Sequence, residues 1–466
     1  MKVLLLNPSP TKVYGSMKPP VVPHLGLAYL KAVLTKSGYE SEIVDMEADS
    51  LSTEDLIRKV KDEPVDLVGI TVTTPTLNTA LEAAAAVKKA QPAAKVVLGG
   101  MHPSVMPREA LSNKDVDFAI KGEGEITLKE LVSCLDRGGE LKEIDGLLFK
   151  DNGNIVANHE RALIEDLDTI PFPARSIGKK AAYSYPDALY AECAPVVTSR
   201  GCPGRCTYCN SSSIFGKGFR ARSAVNVVDE IELLARDYNI REIHIWDDNF
   251  VTKKQRVYEI RDEIKRRGLD IKFAFPNGIR ADFLDEDILK CLKDMGTYSI
   301  AVGVESGNQA VLDKAKKGVK LERTVEVFRL ARKLGIETWA FFMFGLPGEN
   351  PSAAADTIRF AKVLDPDIAK FHIMKPFPGT EAYQYMVDND LLSCFDYDSY
   401  GIHTPPIHHL KDLSEVELTQ IQKRAYREFY FRPKKFIQQI IRMKSLNRFR
   451  LNVQAALGIM RVAFKR

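Results

Sequence analysis

The sequence predicts an α/β protein: an N-terminal doubly wound parallel-sheet (Rossmann-like) domain, a partial (β/α)6 TIM-type barrel, and a helical C-terminal extension. Two patterns carry this prediction. Residues 1–145 alternate short apolar runs with helical stretches, and residues 191–390 repeat a strand–helix unit six times. Composition agrees, because 45% apolar and 27% charged residues among 466 are ordinary for a globular chain. The sequence contains no apolar run of about 18 residues, so it predicts no membrane-spanning helix.

In the first unit, apolar runs predict buried strands near residues 3–6, 41–44, 66–72, 95–98 and 118–120, with helices near 25–37, 53–61 and 77–90. Ligands of such sheets bind beyond the carboxyl ends of the strands. Small or polar residues stand at those ends: Asn7, Thr73, Thr74, Gly99, Gly100 and Gly122. No GxGxxG motif follows the first strand, which argues against a dinucleotide site.

Residues 146–190 change character and are predicted to be a linker. Asp151-Asn152-Gly153-Asn154 has the composition of a hairpin turn between two short apolar runs. The run Ile170-Pro171-Phe172-Pro173 forms a stiff connector. We therefore place the domain boundary in this segment.

The second unit is predicted to be an open barrel. Its strands are expected near residues 195–199, 241–246, 271–276, 299–304, 337–343 and 368–374, and its helices near 224–238, 253–268, 285–296, 322–335, 352–364 and from 381. Repeated βα units with right-handed crossovers curl into a barrel, and six units instead of eight leave it partly open. Active sites of such barrels lie at the carboxyl ends of the strands.

Three cysteines follow the first barrel strand at that end. Cys202, Cys206 and Cys209 have the spacing CxxxCxxC on one loop. Three thiolates can hold a 4Fe–4S cluster and leave one iron open, whereas electron carriers normally use four cysteines. Structural zinc requires four ligands, and no second Cys or His pair is present. The seven cysteines are sparse and odd in number, which argues against a disulfide framework and predicts a cytoplasmic location.

With this loop and the strand ends that follow it, residues 191–390 resemble the radical S-adenosylmethionine (SAM) superfamily. The resemblance implies that the cluster binds SAM at its open iron and cleaves it reductively to a 5′-deoxyadenosyl radical, with an external one-electron donor of flavodoxin or ferredoxin type. It also implies SAM contacts at successive strand ends: Tyr208, Asp247, Asp248, Arg280, Glu305, Ser306, Gly345 and Pro347. Helix capping by Asp248 and a structural salt bridge of Arg280 are the alternatives.

Residues 1–145 resemble the cobalamin-binding domain of one large class of that superfamily, on motifs such as Gly99-Gly100 and Gly122-Glu123-Gly124-Glu125. The resemblance implies a cobalamin site at Asn7, Thr73, Thr74, Gly99, Gly100 and Gly122. The Asp-x-His-x-x-Gly motif that supplies a cobalt ligand in many cobalamin proteins is absent. The domain contains only His24 and His102, neither in that frame. We therefore expect cobalt without this histidine ligand.

These features predict an enzyme that activates a substrate C–H bond for methyl transfer from cobalamin. One alternative is oxidative cyclisation or rearrangement, as in anaerobic magnesium-protoporphyrin monomethyl ester cyclase or hopanoid-modifying enzymes, which the layout also resembles. Another is a non-catalytic iron–sulfur module that docks on a membrane or nucleic acid. The substrate is expected to be a small or lipid-like molecule, and the sequence assigns no catalytic acid or base.

The C-terminal end is strongly basic. Residues 432–466 contain ten Lys or Arg and no Asp or Glu, so the net charge of +4 leaves the preceding residues at −6. A basic helical extension over 391–466 predicts either peripheral contact with anionic lipid or a helix packed on the barrel. Nucleic acid is disfavoured as a partner, because basic and aromatic residues are hardly interleaved.

Overall fold

The computed structural model describes residues 1–14, 21–175, 183, 185, 188–433 and 435. The N-terminal sheet has seven strands in the order β2-β1-β3-β4-β5-β6-β7. Its strands are β1 (Lys2–Asn7), β2 (Glu40–Asp45), β3 (Leu67–Thr71), β4 (Lys95–Gly99), β5 (Phe118–Ile120), β6 (Leu147–Asp151) and β7 (Asn154–Ala157). The helices of this unit are α1 (Thr11–Tyr14), α2 (Leu25–Lys36), α3 (Thr53–Asp62), α4 (Leu77–Ala90), α5 (Met101–Val105), α6 (Pro107–Ser112) and α7 (Gly124–Arg137).

The first five strands are parallel, and helices cover both faces of the sheet. Alternate residues of β1 enter different cores: Leu4 and Leu6 pack with α3 and α4, whereas Val3 and Leu5 pack with α2 and α7. A strand buried on both faces requires the continuous apolar run from which it was predicted. The prediction of a doubly wound sheet is confirmed.

The hairpin that we assigned to the linker belongs to this sheet. Strands β6 and β7 are antiparallel, and β6 pairs with β5 through Phe118 opposite Phe149. The sheet therefore extends to residue 157, and a boundary at residue 145 cuts through it. The turn chemistry predicted the hairpin but carried no information about the strand with which it pairs.

The second sheet has six parallel strands in the order β8-β11-β12-β13-β14-β15. These strands are β8 (Cys193–Val196), β11 (Glu242–Ile245), β12 (Lys272–Ile279), β13 (Thr297–Glu305), β14 (Glu337–Phe344) and β15 (Ile368–Ile373). A separate two-stranded ladder joins β9 (Ser199–Arg200) and β10 (Arg220–Ala221). The helices are α8 (Ser211–Phe215), α9 (Ala224–Tyr238), α10 (Lys254–Arg266), α11 (Glu286–Asp294), α12 (Gln309–Lys314), α13 (Leu321–Lys333), α14 (Pro351–Leu364), α15 (Glu381–Asp388) and α16 (Glu415–Tyr430). This arrangement confirms the partial (β/α)6 barrel.

Helix α16 covers the open edge of the barrel at β15. Edge strands leave backbone groups unpaired, and the side chains of α16 satisfy several of them. The Tyr426 hydroxyl accepts the N–H of Phe371 at 3.2 Å, and the Tyr430 hydroxyl accepts the N–H of Ala369 at 3.0 Å. The basic tail predicted to contact lipid lies, from residue 436, outside the described residues. Within them, no helix has the length and apolarity needed to cross a membrane.

Candidate cofactor-binding site

The loop between β9 and α8 carries the three cysteines predicted to bind a cluster. It begins at Gly201, whose φ is +85° and where an added Cβ would lie 2.4 Å from the carbonyl oxygen of Gly218. Only glycine fits this position. The loop is anchored on the barrel because the N–H of Thr207 donates to the carbonyl of Ala315 at 3.0 Å.

The donor groups around these cysteines suit an iron–sulfur cluster. The N–H of Gly204 lies 3.4 Å from Cys202 Sγ, and Nη1 of Arg280 lies 3.5 Å from Cys206 Sγ. The three sulfur atoms do not all lie within 4.8 Å of one another, whereas the ligand atoms of a single metal ion would. Burial raises the pKa of Cys209 to about 11. Bound iron would reverse this effect, because a coordinating thiol is deprotonated.

A cavity of about 380 Å³ opens from the cluster loop into the barrel. Four of the residues predicted to contact SAM line it on the cluster side: Tyr208, Asp248, Arg280 and Glu305. Arg280 also forms the alternative salt bridge, since its Nη2 lies 2.8 Å from Asp282 Oδ2. Arg280 therefore forms the salt bridge with Asp282 and also faces a cluster cysteine.

Glu305 is paired inside this cavity with Lys317, a residue that the sequence did not single out. Lys317 Nζ lies 2.8 Å from Glu305 Oε1 and 3.4 Å from the Tyr208 hydroxyl. Burial opposes the charge of Lys317, but the Glu305 carboxylate outweighs it and raises the pKa of Lys317. Glu305 has a φ of +64°, a left-handed conformation that costs a non-glycine residue about 1–3 kcal/mol and is concentrated at functional sites.

Four other predicted SAM residues do not line the cavity. Both carboxylate oxygens of Asp247 accept hydrogen bonds from Thr198, through its N–H at 2.6 Å and its hydroxyl. Ser306 is fully buried and caps the next segment, where the N–H of Asn308 donates to its hydroxyl at 3.1 Å. Gly345 and Pro347 lie after β14, outside the lining residues. The family motif placed them in order along the chain but could not show which side chains point inward.

A second cavity lies at the carboxyl ends of the first sheet. Four of the residues predicted to contact cobalamin line it, Thr73, Gly99, Gly100 and Gly122, and its volume is about 370 Å³, within the range of small-molecule pockets. Asn7 lines a neighbouring pocket instead. Thr74 is buried behind the wall, with its hydroxyl 3.3 Å from His102 Nδ1.

The inner part of this second cavity is apolar. It passes between strands and helices and is lined there by Leu5, Gly69, Val97, Ile120 and Leu128. Glycines at the rim keep it open, and a Cβ added to Gly99 would meet no atom within 4 Å. An open glycine rim above an apolar slot fits a bulky cofactor with an apolar appendage, as the cobalamin prediction requires.

His24 also lines the second cavity and was not predicted to do so. Its Nδ1 accepts the N–H of Leu27 at 3.2 Å, and its Nε2 lies 3.2 Å from the Thr71 hydroxyl. Both ring nitrogens are therefore engaged within the protein.

The two cavities share a wall. Asp248 lines both of them, and its Oδ2 accepts the N–H of Gly201 at 3.1 Å and the Ser211 hydroxyl at 2.8 Å. Burial raises the pKa of Asp248. One carboxylate thus holds both ends of the cluster loop and separates the cluster cavity from the cleft of the first domain.

A buried ion network joins the domains beside this wall. Arg200, two residues before Cys202, lies 2.7 Å from Glu123 Oε1 through Nη1 and pairs with Glu125 through Nη2. All three charged residues are nine-tenths or more buried. Glu123 and Glu125 belong to a motif noted in the sequence, but nothing in a single chain indicates that they meet Arg200.

Comparison with known proteins agrees with this geometry. Residues 12–132 match the B12 binding domain, and residues 196–361 match the radical SAM superfamily. An uncharacterized methyltransferase of Pyrococcus horikoshii is 34% identical over 446 residues, which cover 94% of this chain and 95% of that protein. The anaerobic magnesium-protoporphyrin IX monomethyl ester cyclase of Cereibacter sphaeroides is 30% identical over 443 residues, covering 93% of this chain and 71% of the cyclase.

The fold and the paired cavities define a cobalamin-dependent enzyme that uses SAM and a 4Fe–4S cluster. The chain belongs to the radical SAM superfamily, in the B12-binding class that contains methyltransferases and magnesium-protoporphyrin cyclases. The alternative of a non-catalytic docking module is therefore wrong. As a member of the superfamily, the protein requires an electron donor and acts on a substrate.

Two solved structures share the fold across both domains. The cobalamin-dependent SAM radical enzyme OxsB superimposes with a TM-score of 0.77 at 19% identity, covering 99% of this chain and 72% of OxsB. The radical SAM methyltransferase TsrM from Kitasatospora setae gives a TM-score of 0.69 at 22% identity, covering 83% of this chain and 75% of TsrM. Both comparisons support the architecture of two adjoining domains.

Proposed function

We propose that the protein transfers a methyl group from cobalamin to a carbon atom of its substrate. The observation that carries this proposal is the shared wall at Asp248, because it makes the cobalamin cleft and the cluster cavity neighbours. When bound, the cluster supplies the electron that cleaves SAM, and cobalamin supplies the methyl group. A named relative, the cytidylyl-2-hydroxyethylphosphonate methyltransferase of Streptomyces wedmorensis, is 30% identical over 434 residues, covering 82% of this chain and 80% of that enzyme.

Within the cluster cavity, we propose that Arg280, Glu305, Lys317 and Tyr208 hold SAM. Arg280 and Lys317 are the cations that line the cavity on the cluster side, and Glu305 offers carboxylate oxygens to an ammonium group or a ribose. The ion pairs of Arg280 with Asp282 and of Lys317 with Glu305 fix these side chains before the ligand arrives, which lowers the cost of ordering them. The apolar slot of the other domain holds cobalamin, and the rim glycines allow its close approach.

Isotope labelling can distinguish methyl transfer from cyclisation. The enzyme is loaded anaerobically with iron, sulfide and cobalamin, and is supplied with a one-electron reductant, methyl-deuterated SAM and a low-molecular-weight cell extract. Methyl transfer predicts a small molecule whose mass increases by a deuterated methyl group, together with 5′-deoxyadenosine. Cyclisation predicts 5′-deoxyadenosine and a substrate that loses hydrogen and gains no label, which would contradict the proposal.

A further inference from the structure

A second group of metal-ligating side chains lies at the amino ends of the barrel strands, opposite the cluster loop. Cys193 and Glu242 begin the neighbouring strands β8 and β11 and stand side by side in the parallel register. His244 lies two residues after Glu242, on the same face of β11. The Cys193 sulfur, a carboxylate oxygen of Glu242 and an imidazole nitrogen of His244 all lie within 4.8 Å of one another. Among the described residues, this is the one group of three or more such atoms so close together.

The group is buried, and its negative charge has little compensation. Glu242 is 0% exposed, and Cys193 and His244 are each 3% exposed. His244, at 2.7 Å, is the one ionisable partner that the described structure gives the Glu242 carboxylate, whereas Glu230, equally buried, is paired with two arginines. A buried carboxylate requires a compensating positive charge. A dication would supply it, and together with the Cys193 thiolate the site would be neutral.

The carboxylate of Glu242 is held in position from one side. Its Oε2 accepts the N–H groups of Leu189 and Tyr190, at 2.7 and 2.9 Å. Its Oε1 lies 2.7 Å from His244 Nε2 and accepts the Tyr298 hydroxyl at 2.6 Å. Hydrogen bonds that fix the orientation of a ligand are typical of protein metal sites. Glu242 therefore presents one oxygen to the group, and the adjacent Tyr298 hydroxyl is the candidate for a fourth ligand.

The Cys193 thiol has no hydrogen-bond partner within the described part of the chain, although it is almost completely buried beside a carboxylate. The other cysteine buried in the barrel, Cys291, is 3.8 Å from the carbonyl oxygen of Val257. A carbonyl can accept the proton of a thiol, whereas a bound metal replaces that proton. The surroundings of Cys193 thus suit a thiolate that ligates a metal.

We propose that Cys193, Glu242 and His244 bind a zinc ion that ties β8 to β11. Thiolate, imidazole and carboxylate are the ligands that zinc takes in proteins. With zinc bonds of about 2.0–2.1 Å to nitrogen and oxygen, tetrahedral ligand atoms stand about 3.3 Å apart, so His244 Nε2 and Glu242 Oε1 would separate by about 0.6 Å. None of the three residues lines the cluster cavity or the cleft of the first domain, so the zinc is structural and independent of SAM and cobalamin.

Metal analysis of the reconstituted enzyme tests this proposal. The protein is produced with zinc in the medium, loaded anaerobically with its cluster, and passed over a chelating resin that removes loosely bound metal. We expect about one zinc per chain beside the iron of the cluster, and at least about a fivefold loss of zinc in Cys193→Ser. Zinc-edge X-ray absorption of the parent enzyme should show one sulfur ligand at about 2.3 Å, with nitrogen and oxygen as the others.

Cys291→Ser is the matched control, because Cys291 is also buried in the barrel but belongs to no such group. It should keep the zinc, and the visible absorbance of the cluster reports the folding of each variant. A parent enzyme free of zinc, or a folded Cys193→Ser variant that keeps it, would overturn the proposal. Zinc with no sulfur ligand, or with three as in the cluster loop, would do the same. Because the absorption spectrum is recorded on the parent, it decides even where Cys193→Ser fails to fold.

Discussion

Removing the charge of Arg200 should loosen the contact between the two domains. In Arg200→Met, Glu125 loses the one ion-pair partner that the described structure gives it, whereas Glu123 keeps Arg220 at 3.0 Å. Glu125 is 8% exposed, so its charge stays largely buried without compensation. Breaking a buried pair in this way costs about 3–5 kcal/mol. Arg200→Met combined with Glu125→Gln removes both charges and should recover most of that loss.

The loss can be followed by urea unfolding, with the fluorescence of Trp246 as the signal. Trp246 lines the cleft between the domains, and a Trp339→Phe background leaves it as the only tryptophan. Arg236→Met, which breaks a fully exposed pair with Asp237, is the control and should leave the transition unchanged. If Arg200→Met unfolds at the same urea concentration as the parent, or if the double variant is no more stable than the single one, the network does not stabilise the interface.

Four further outcomes follow from the structure. Cys206→Ala should abolish the brown cluster absorbance, whereas Cys291→Ser, in the core of the barrel, should retain it. Gly99→Leu should fill the open rim of the second cavity and lower the amount of cobalamin retained after gel filtration, compared with Gly218→Leu, which also enters open space but outside that cavity. Burial raises the pKa of Glu349 to about 8, so its contribution to stability is complete below about pH 4.5 and is lost as pH rises towards 8; Glu349→Gln should flatten urea midpoints over this window. Burial opposes ionisation of Glu123, but Arg200 and Arg220 outweigh it and lower the pKa of this carboxyl. The domain contact should therefore weaken as pH falls below the ordinary value of 4.5, and the fluorescence of Trp246 should change over the same pH range.

Strand and helix positions could be predicted because each strand–helix unit of the barrel has an apolar run for its strand and a stretch with helical period for its helix. Helix α9 covers residues 224–238, as its pattern predicted. Local patterns did not determine which strands pair across a boundary, so the hairpin at β6 and β7 was separated from its sheet. Pairing depends on packing between segments far apart in sequence, and a single sequence carries no record of it.

The same limit applies to the site. The cysteine loop is local, and its spacing predicted its chemistry directly. The roles of Asp247 and Lys317 were missed because each depends on a partner outside its own sequence motif. Asp247 is occupied by Thr198, and Lys317 reaches Glu305 across the end of β13. Motif position therefore identified the correct end of the barrel but not which side chains face the cavity.

The central claim is an iron left open by Cys202, Cys206 and Cys209 and available to SAM. Anaerobic electron paramagnetic resonance of the reduced, reconstituted enzyme tests it most directly, with spectra recorded before and after addition of SAM. We expect a 4Fe–4S signal that shifts when SAM is added, accompanied by 5′-deoxyadenosine. A cluster signal that SAM leaves unchanged, with no nucleoside formed, would contradict the account.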